Sequence, residues 1–293
     1  MKAKLRPLLL KLCHFCFGPG DPIRLEAFRV VLGLSLLAYM LAWWQHASEW
    51  LTPLGYHTPA GDLFHAPFIL PPMPPFLLPW FGRLLFGGIS LFILGWKLRW
   101  TSWLVLGCVI YVTFADLLSS YTINLLYIVT LFILALSVRG VYWSIDRAEP
   151  PTQSVWPIRI LQLTIVTQYF TAGLCKINNG DWLKSPYVLW SAVQGVYMTD
   201  LAAWMVRALP LGLWAWMQYI ALSFEILAPF IFLPKRFRII AFAWNMGFLA
   251  IISLTMHMLI YFALQLACFI VLFMEEKTLH RVHDVVLLRT TSR

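Results

Sequence analysis

The run Glu26-Ala-Phe-Arg-Val-Val-Leu-Gly-Leu-Ser-Leu-Leu-Ala-Tyr-Met-Leu-Ala-Trp-Trp44 decides what kind of molecule this is. As a helix rising 1.5 Å per residue it is about 28 Å long, close to the roughly 30 Å hydrocarbon core of a bilayer. After Arg29 it carries no charge, and it ends on two tryptophans. Working outward, seven more stretches read the same way: Leu78 to Trp96, Trp100 to Leu118, Thr122 to Val138, Trp156 to Leu174, Leu211 to Leu233, Phe237 to Leu254 and Met258 to Met274. Lipid offers no hydrogen bonds, so a spanning backbone must satisfy its own polar groups, as a helix does. The sequence therefore predicts an all-α polytopic integral membrane protein of about eight transmembrane helices. The turn at Thr255 to His257 between the last two is the least defined boundary.

Composition agrees. Of 293 residues, 60% are apolar and only 12% charged, too few to solvate the surface of a water-soluble globule. Many of the 15 tryptophans stand near span ends, among them Trp43, Trp44, Trp96, Trp100 and Trp156, as an interfacial belt requires. The net charge of +9 is scattered between apolar runs, so it reads as a topology signal and no nucleic-acid partner is expected. Of five cysteines only Cys13 and Cys16 form a close pair. No second pair completes a four-ligand set, so no metal site is expected.

Lysine and arginine set the orientation, because short basic loops resist translocation. Lys2, Lys4, Arg6, Lys11 and Arg24, then Lys97 and Arg99, Arg139 and Arg147, Lys235 to Arg238, and Lys277 with Arg281 all fall on one side. The opposite side begins with residues 45–77, which hold seven prolines and no lysine or arginine. Both termini are thus expected in the cytoplasm, with the chain in the cytoplasmic (inner) membrane. The expected organisation is a basic segment 1–24, a transmembrane domain 25–275 and a basic tail 276–293. The third outer loop, residues 175–210, contains the apolar stretch Tyr187 to Trp204, expected to lie in the interface or to re-enter as a helix.

Ionisable groups at membrane depth cost a few kcal/mol and are functional candidates by default. Arg29 either snorkels to the interface or forms a buried pair. Glu225, in mid-span, needs a cationic partner or a captured proton. Asp116 lies near an outer helix end, where water reaches it. His257, at the outer turn, is read either as an ordinary hydrogen-bonding histidine or as a site residue. The densest polar set is Gln162, Gln168, Tyr169, Gly173, Lys176, Asn178, Asn179, Asp181 and Trp182. Gln162, Tyr169 and Lys176 are seven apart and share one helical face if the fifth helix reaches the lysine. Lys176 is then either an interfacial anchor or a partly desolvated amine able to act as a base.

The segment Tyr169-Phe-Thr-Ala-Gly-Leu-Cys-Lys-Ile-Asn-Asn-Gly-Asp-Trp182 resembles the most specific motif of the HTTM (horizontally transferred transmembrane) domain family, whose best-known member is vitamin K-dependent gamma-glutamyl carboxylase. Ser120-Tyr121 through Tyr142-Trp-Ser-Ile-Asp146 resembles a second block, with weaker echoes at Asp21 to Arg29 and Glu225-Ile-Leu-Ala-Pro229. The resemblance covers most of the chain. It implies that Lys176 matches the lysine taken as the base that deprotonates a vitamin K hydroquinone, which with oxygen yields a stronger base for removing a glutamate proton. The supporting site residues expected beside it are Tyr169, Asn178, Asp181, Trp182, Glu225, Ser119, Tyr121, His257 and Arg29.

The departures are specific. Ser119 stands where the carboxylase has a histidine, Cys175-Lys176 replaces two lysines, and Asn245 or Gly247 occupies the place of a histidine in the seventh helix. No propeptide-binding extracytoplasmic domain is expected. Stand-alone bacterial members, one of them required to mature a secreted peptide toxin, imply a peptide-modifying role. The expected cofactor is a reduced quinone, menaquinone or vitamin K-like. The expected partners are the lipid bilayer and a peptide or membrane protein. A non-catalytic scaffold is the competing reading. A transporter ranks third, because no paired broken helices related by inverted symmetry are present.

Overall fold

The apolar runs of the sequence become helices in the structure, a computed structural model that describes residues 10, 13–55, 57, 70–115, 122–137, 140–147 and 152–291. The chain divides into two units, one of residues 1–159 with 274–293 and one of residues 160–273.

In the first unit, helix α1 (Ile23–Trp44) is followed by the short α2 (Ala47–Leu51), α3 (Leu78–Leu94), α4 (Leu98–Ala115) and α5 (Thr122–Ser137). Helix α3 packs on α1 and on α4, and α4 packs on α5. In lipid, helices are held by close van der Waals fit and internal hydrogen bonds, with no hydrophobic drive between them. Both devices are present. Phe28, Leu32, Leu36 and Met40 form a fully buried stripe four residues apart on α1. Between α1 and α5, Ser35 bonds Tyr127 at 2.9 Å and the Tyr39 hydroxyl donates to Asn124 at 2.8 Å. Two-residue strands β1 (Pro19–Gly20) and β2 (Gln153–Ser154) pair antiparallel. The C-terminal helix α12 (Glu276–Thr291) packs on α1, held by Arg24 to Glu276 at 3.4 Å and His280 to Asp21 at 2.6 Å. The ring of Tyr142 meets His280 edge-on, and burial and then the Asp21 carboxylate push the Tyr142 phenol above its ordinary range.

The second unit holds most of α6 (Trp156–Asn178), then α7 (Val188–Val193), α8 (Asp200–Ala208), α9 (Leu211–Phe232), α10 (Arg238–Thr255) and α11 (Ile260–Cys268). Here α9 packs on α7 and α10, and α10 on α8 and α11.

Among the described residues, five helical segments are long and apolar enough to cross a membrane: Ile23–Trp44, Pro75–Leu94, Leu98–Ala115, Leu211–Phe232 and Lys235–Thr255. The multi-pass, membrane-embedded architecture follows from these five. Three expected spans differ from that standard, each for a local reason. Thr122–Ser137 is apolar but short. The last is broken into 3-10 turns, His257–Leu259 and Phe269–Phe273, around α11. The fifth is a long helix, 23 residues, but Arg159, Gln162, Gln168 and Lys176 dilute its hydropathy. The outer segment expected as one interfacial or re-entrant helix is two short ones, α7 and α8. Between them the chain turns at Gly195, and Thr199 starts α8 by accepting from the Ala202 N–H at 3.1 Å.

Candidate active site around Lys176

Helix α6 does persist to the lysine, so Gln162, Tyr169 and Lys176 lie along one face. Each spends its polar group on a different element of the second unit. Gln162 donates to the Leu272 carbonyl at 2.8 Å, the Tyr169 hydroxyl donates to Asn245 on α10 at 2.7 Å, and Lys176 Nζ bonds Glu225 Oε1 on α9. The stripe is thus a polar seam.

The approach of α9 to α6 is set by Gly173. A Cβ there would lie 2.8 Å from Ile226 Cδ1 and 3.1 Å from Glu225 Cβ, so only glycine fits without displacing the neighbour. One turn later Lys176 reaches Glu225, whose side chain is 5% exposed, while that of Lys176 is 28% exposed. Glu225 Oε2 is buried without a partner among the described residues. Pro229, four residues on within α9, lacks the N–H that would bond the Glu225 carbonyl. Lys176 sits in the last turn of α6, where a cation suits the negative end of the helix dipole.

Beyond the helix the chain turns back, with the Lys184 and Ser185 N–H groups bonding the Asp181 carbonyl at 3.0 and 2.7 Å. This return sets the Trp182 ring 4.6 Å from Lys176 Nζ, an indole face against a cation. Tyr169, two turns earlier, is buried against Phe224 at 5.1 Å between ring centres and stacked on Phe232 at 6.3 Å.

The structure therefore brings Lys176, Glu225 and Trp182 together and ties Tyr169 to Asn245. Asn178, Asp181 and His257 are exposed, and among the described residues none of them bonds the Lys176–Glu225 pair. Asp181 meets Lys184 at 3.6 Å on the surface, a pair worth little. His257 is held through its backbone, its N–H donating to Tyr197 at 2.8 Å. Arg29 belongs to the first unit, where it is fully buried, and Ser119 and Tyr121 lie outside the described residues.

One residue of the site escaped the reading of the sequence. Gln218, fully buried on α9, accepts from the Leu189 N–H at 2.9 Å and donates to the Trp182 and Ser185 carbonyls at 2.7 and 2.8 Å. It fixes the loop that places Trp182. The available signal was its position seven residues before Glu225, on the same helical face. Gln218→Leu leaves buried backbone groups unbonded and should cost about 1–3 kcal/mol. Hydrogen exchange at Leu189 should speed up, and unchanged exchange there would show that Gln218 does not hold the loop.

As chemistry, a carboxylate and an indole face hold one amine at the mouth of a helix, in a setting that both neutralises its charge and leaves it partly accessible. No curated protein and no solved structure matches the chain. Residues 17–277 match the HTTM domain, which takes in every residue of the Lys176 cluster and nearly the whole sequence, and the chain belongs to that family.

Proposed function

We propose that this chain is a membrane enzyme of the vitamin K carboxylase-like kind, with Lys176 as its base, acting on a quinone-like lipid, a peptide, or both. The observation that carries the reading is the Lys176–Glu225–Trp182 cluster, a titratable amine held at a helix end and still 28% exposed. Glu225 Oε1, hydrogen-bonded to Nζ, is placed to take its proton and leave a neutral amine. That amine can take a proton from a weak acid. The flat Trp182 face beside the partly exposed amine suits a planar ring that carries an acidic hydroxyl. A reduced quinone, menaquinone or vitamin K-like, would supply the oxygen-dependent chemistry. This chain's residues would bind it, screen water and move its proton. Strict glutamate carboxylation is not part of the proposal, given Ser119, Cys175 and Asn245 or Gly247 at positions where the carboxylase differs.

The proposed topology has eight crossings of the inner membrane, counting α5, α6 and the Ile260–Phe273 segment, with both termini cytoplasmic and Lys176 near the outer face. The domain limits stay at 1–24, 25–275 and 276–293.

A second reading, a non-catalytic partner for a secreted peptide or another membrane subunit, draws on the apolar outer segment, where Val196 is 95% and Trp204 56% exposed. Lipid extraction and native mass spectrometry of purified wild type and Lys176→Ala decide between them. A quinone retained by wild type and lost at least tenfold in the variant supports the enzyme. Full host activity of Lys176→Ala with no bound quinone overturns it, and a peptide or protein held equally by both forms moves the assignment to the scaffold.

A further inference from the structure

On helix α3, Arg83 is an isolated cation. Between Arg29 and Lys97 it is the only lysine or arginine of the chain, and it stands ninth in the apolar span Pro75–Leu94. Its side chain is exposed, and among the described residues its one close partner is the Trp80 ring, 4.5 Å from the guanidinium carbon, with no hydrogen bond or ion pair. We propose that Arg83 and the groove beside it hold one anionic glycerophospholipid, the guanidinium on the lipid phosphate and an acyl chain along the groove.

Depth is the first ground. Twenty helical residues reach about 30 Å, the thickness of the hydrocarbon core, so the Pro75 end of this span marks the edge of that core. Arg83 lies eight residues in, about 12 Å. Its side chain leans toward the helix N-terminus, as helical side chains do, but by resting on Trp80 it recovers only one turn, about 5 Å. The charge therefore stops inside the level of the bulk phosphates, in a layer where a cation is costly without an anion. The indole face attracts the cation but accepts none of its N–H donors. The anion has to come to the arginine.

Direction and shape then select what brings it. The buried residues of α3, among them Gly82, Leu85 and Ile89, share one face, and at 100° per residue Arg83 and Trp80 fall on the opposite one, where Trp80 is 64% exposed. The guanidinium thus looks onto surface that lipid solvates. Beside it an open groove of about 490 Å³ is lined by Met73, Leu77, Trp80, Phe81, Leu84 and Tyr111. The Tyr111 hydroxyl already donates to the Pro71 carbonyl at 2.9 Å, so its ring is what it gives the groove. Trp80 is at once a wall of the groove and the platform of Arg83, so a molecule that meets the guanidinium with an anion meets the groove with the part that follows. A phospholipid has both parts. Free phosphate has no use for the groove, and a zwitterionic lipid adds a second cation beside an arginine that has no carboxylate partner among the described residues. A net anionic headgroup is therefore selected. The inference goes beyond the Lys176 reading and does not rest on it, since Arg83 belongs to the first unit and Lys176 to the second.

The test uses the full chain in nanodiscs of equal parts dioleoyl phosphatidylglycerol and dioleoyl phosphatidylcholine, stripped stepwise in detergent and examined by native mass spectrometry. Wild type should keep one phosphatidylglycerol after bulk lipid is gone. Arg83→Gln should lower that retention by about tenfold or more, the worth of a charge-assisted hydrogen bond, and erase the headgroup preference. Leu77→Trp, which narrows the groove and leaves the charge, should lower retention while keeping the preference. Equal retention of the two lipids by wild type, or of phosphatidylglycerol by wild type and Arg83→Gln, overturns the proposal. So does a dimer of the chain that Arg83→Gln dissolves, which would give the arginine to a second copy. Should Arg83→Gln fail to elute as a monodisperse species, Trp80→Leu decides, because it removes the wall that charge and groove share: unchanged phosphatidylglycerol retention is then the overturning result.

Discussion

Lys176→Met should cost about 3 kcal/mol of stability, and the double variant Lys176→Met/Glu225→Met should recover most of that loss while recovering no function. The asymmetry comes from burial. Glu225 is 5% exposed, and among the described residues its side chain bonds Lys176 alone, with Oε2 unpartnered. Removing the lysine leaves a buried carboxyl group with neither oxygen partnered, whereas removing both groups replaces a costly pair by apolar contact with Phe224 and Tyr169 close by. Glu225→Gln keeps the shape and one hydrogen bond, so it should be nearly neutral in stability and still impair proton transfer. The check is an equilibrium unfolding cycle of the four proteins in mixed micelles, paired with quinone retention. Strictly additive losses would mean that the two side chains do not interact, and restored function in the double variant would rule out Lys176 as the base.

How much of this was legible beforehand depended on whether a feature was local. The α1 and α9 spans were readable because unbroken apolar runs have no other stable fate, and the observed helices Ile23–Trp44 and Leu211–Phe232 start or end within a few residues of those runs. The seven-residue spacing of Gln162, Tyr169 and Lys176 gave a shared face on condition that α6 continued, and it does continue to Asn178. The partners of that face were not readable. Leu272, Asn245 and Glu225 lie 110, 76 and 49 residues away, and nothing local couples a donor to an acceptor at such separations. Glu225 was singled out because a mid-span charge needs a counter-charge, a physical demand that names the need and not the partner. Gln218 was missed because a neutral amide raises no such demand. The broken last span was missed because hydropathy sees composition and not the 3-10 turns at His257–Leu259 and Phe269–Phe273.

Arg29→Met should destabilise the first unit by about 3–5 kcal/mol, the largest loss expected from any single substitution there. The side chain does not run to the interface. It is fully buried, and its Nη1 donates to the Phe92 and Ile93 carbonyls while Nη2 donates to the Trp143 carbonyl and approaches Ser144 Oγ at 3.3 Å. Phe92 and Ile93 close α3, where carbonyls are short of i+4 helical partners and the dipole is negative, so a guanidinium there satisfies both conditions. One turn earlier on α1, Glu26 accepts from the Val141, Tyr142 and Trp143 N–H groups at 2.7, 2.9 and 3.1 Å. The two side chains thus grip opposite polarities of one short segment. Its next residues complete the clasp, with the Ile145 N–H bonding Leu94 at 3.0 Å and Asp146 accepting the Lys97 N–H at 2.8 Å just ahead of α4. Gly95, at φ +74°, makes the turn between α3 and α4, and a Cβ there would lie 2.4 Å from Ser144 Oγ. The block Tyr142 to Asp146 therefore acts as a buckle for the ends of α1, α3 and α4. A lysine at position 29 supplies charge but not a planar fork, so Arg29→Lys should recover less than half of the loss. The measurement is equilibrium unfolding in mixed micelles of wild type, both Arg29 variants and Glu26→Gln. A loss under about 1 kcal/mol for Arg29→Met would place the guanidinium outside the clasp's energetics and return it to the set of residues that act on substrate.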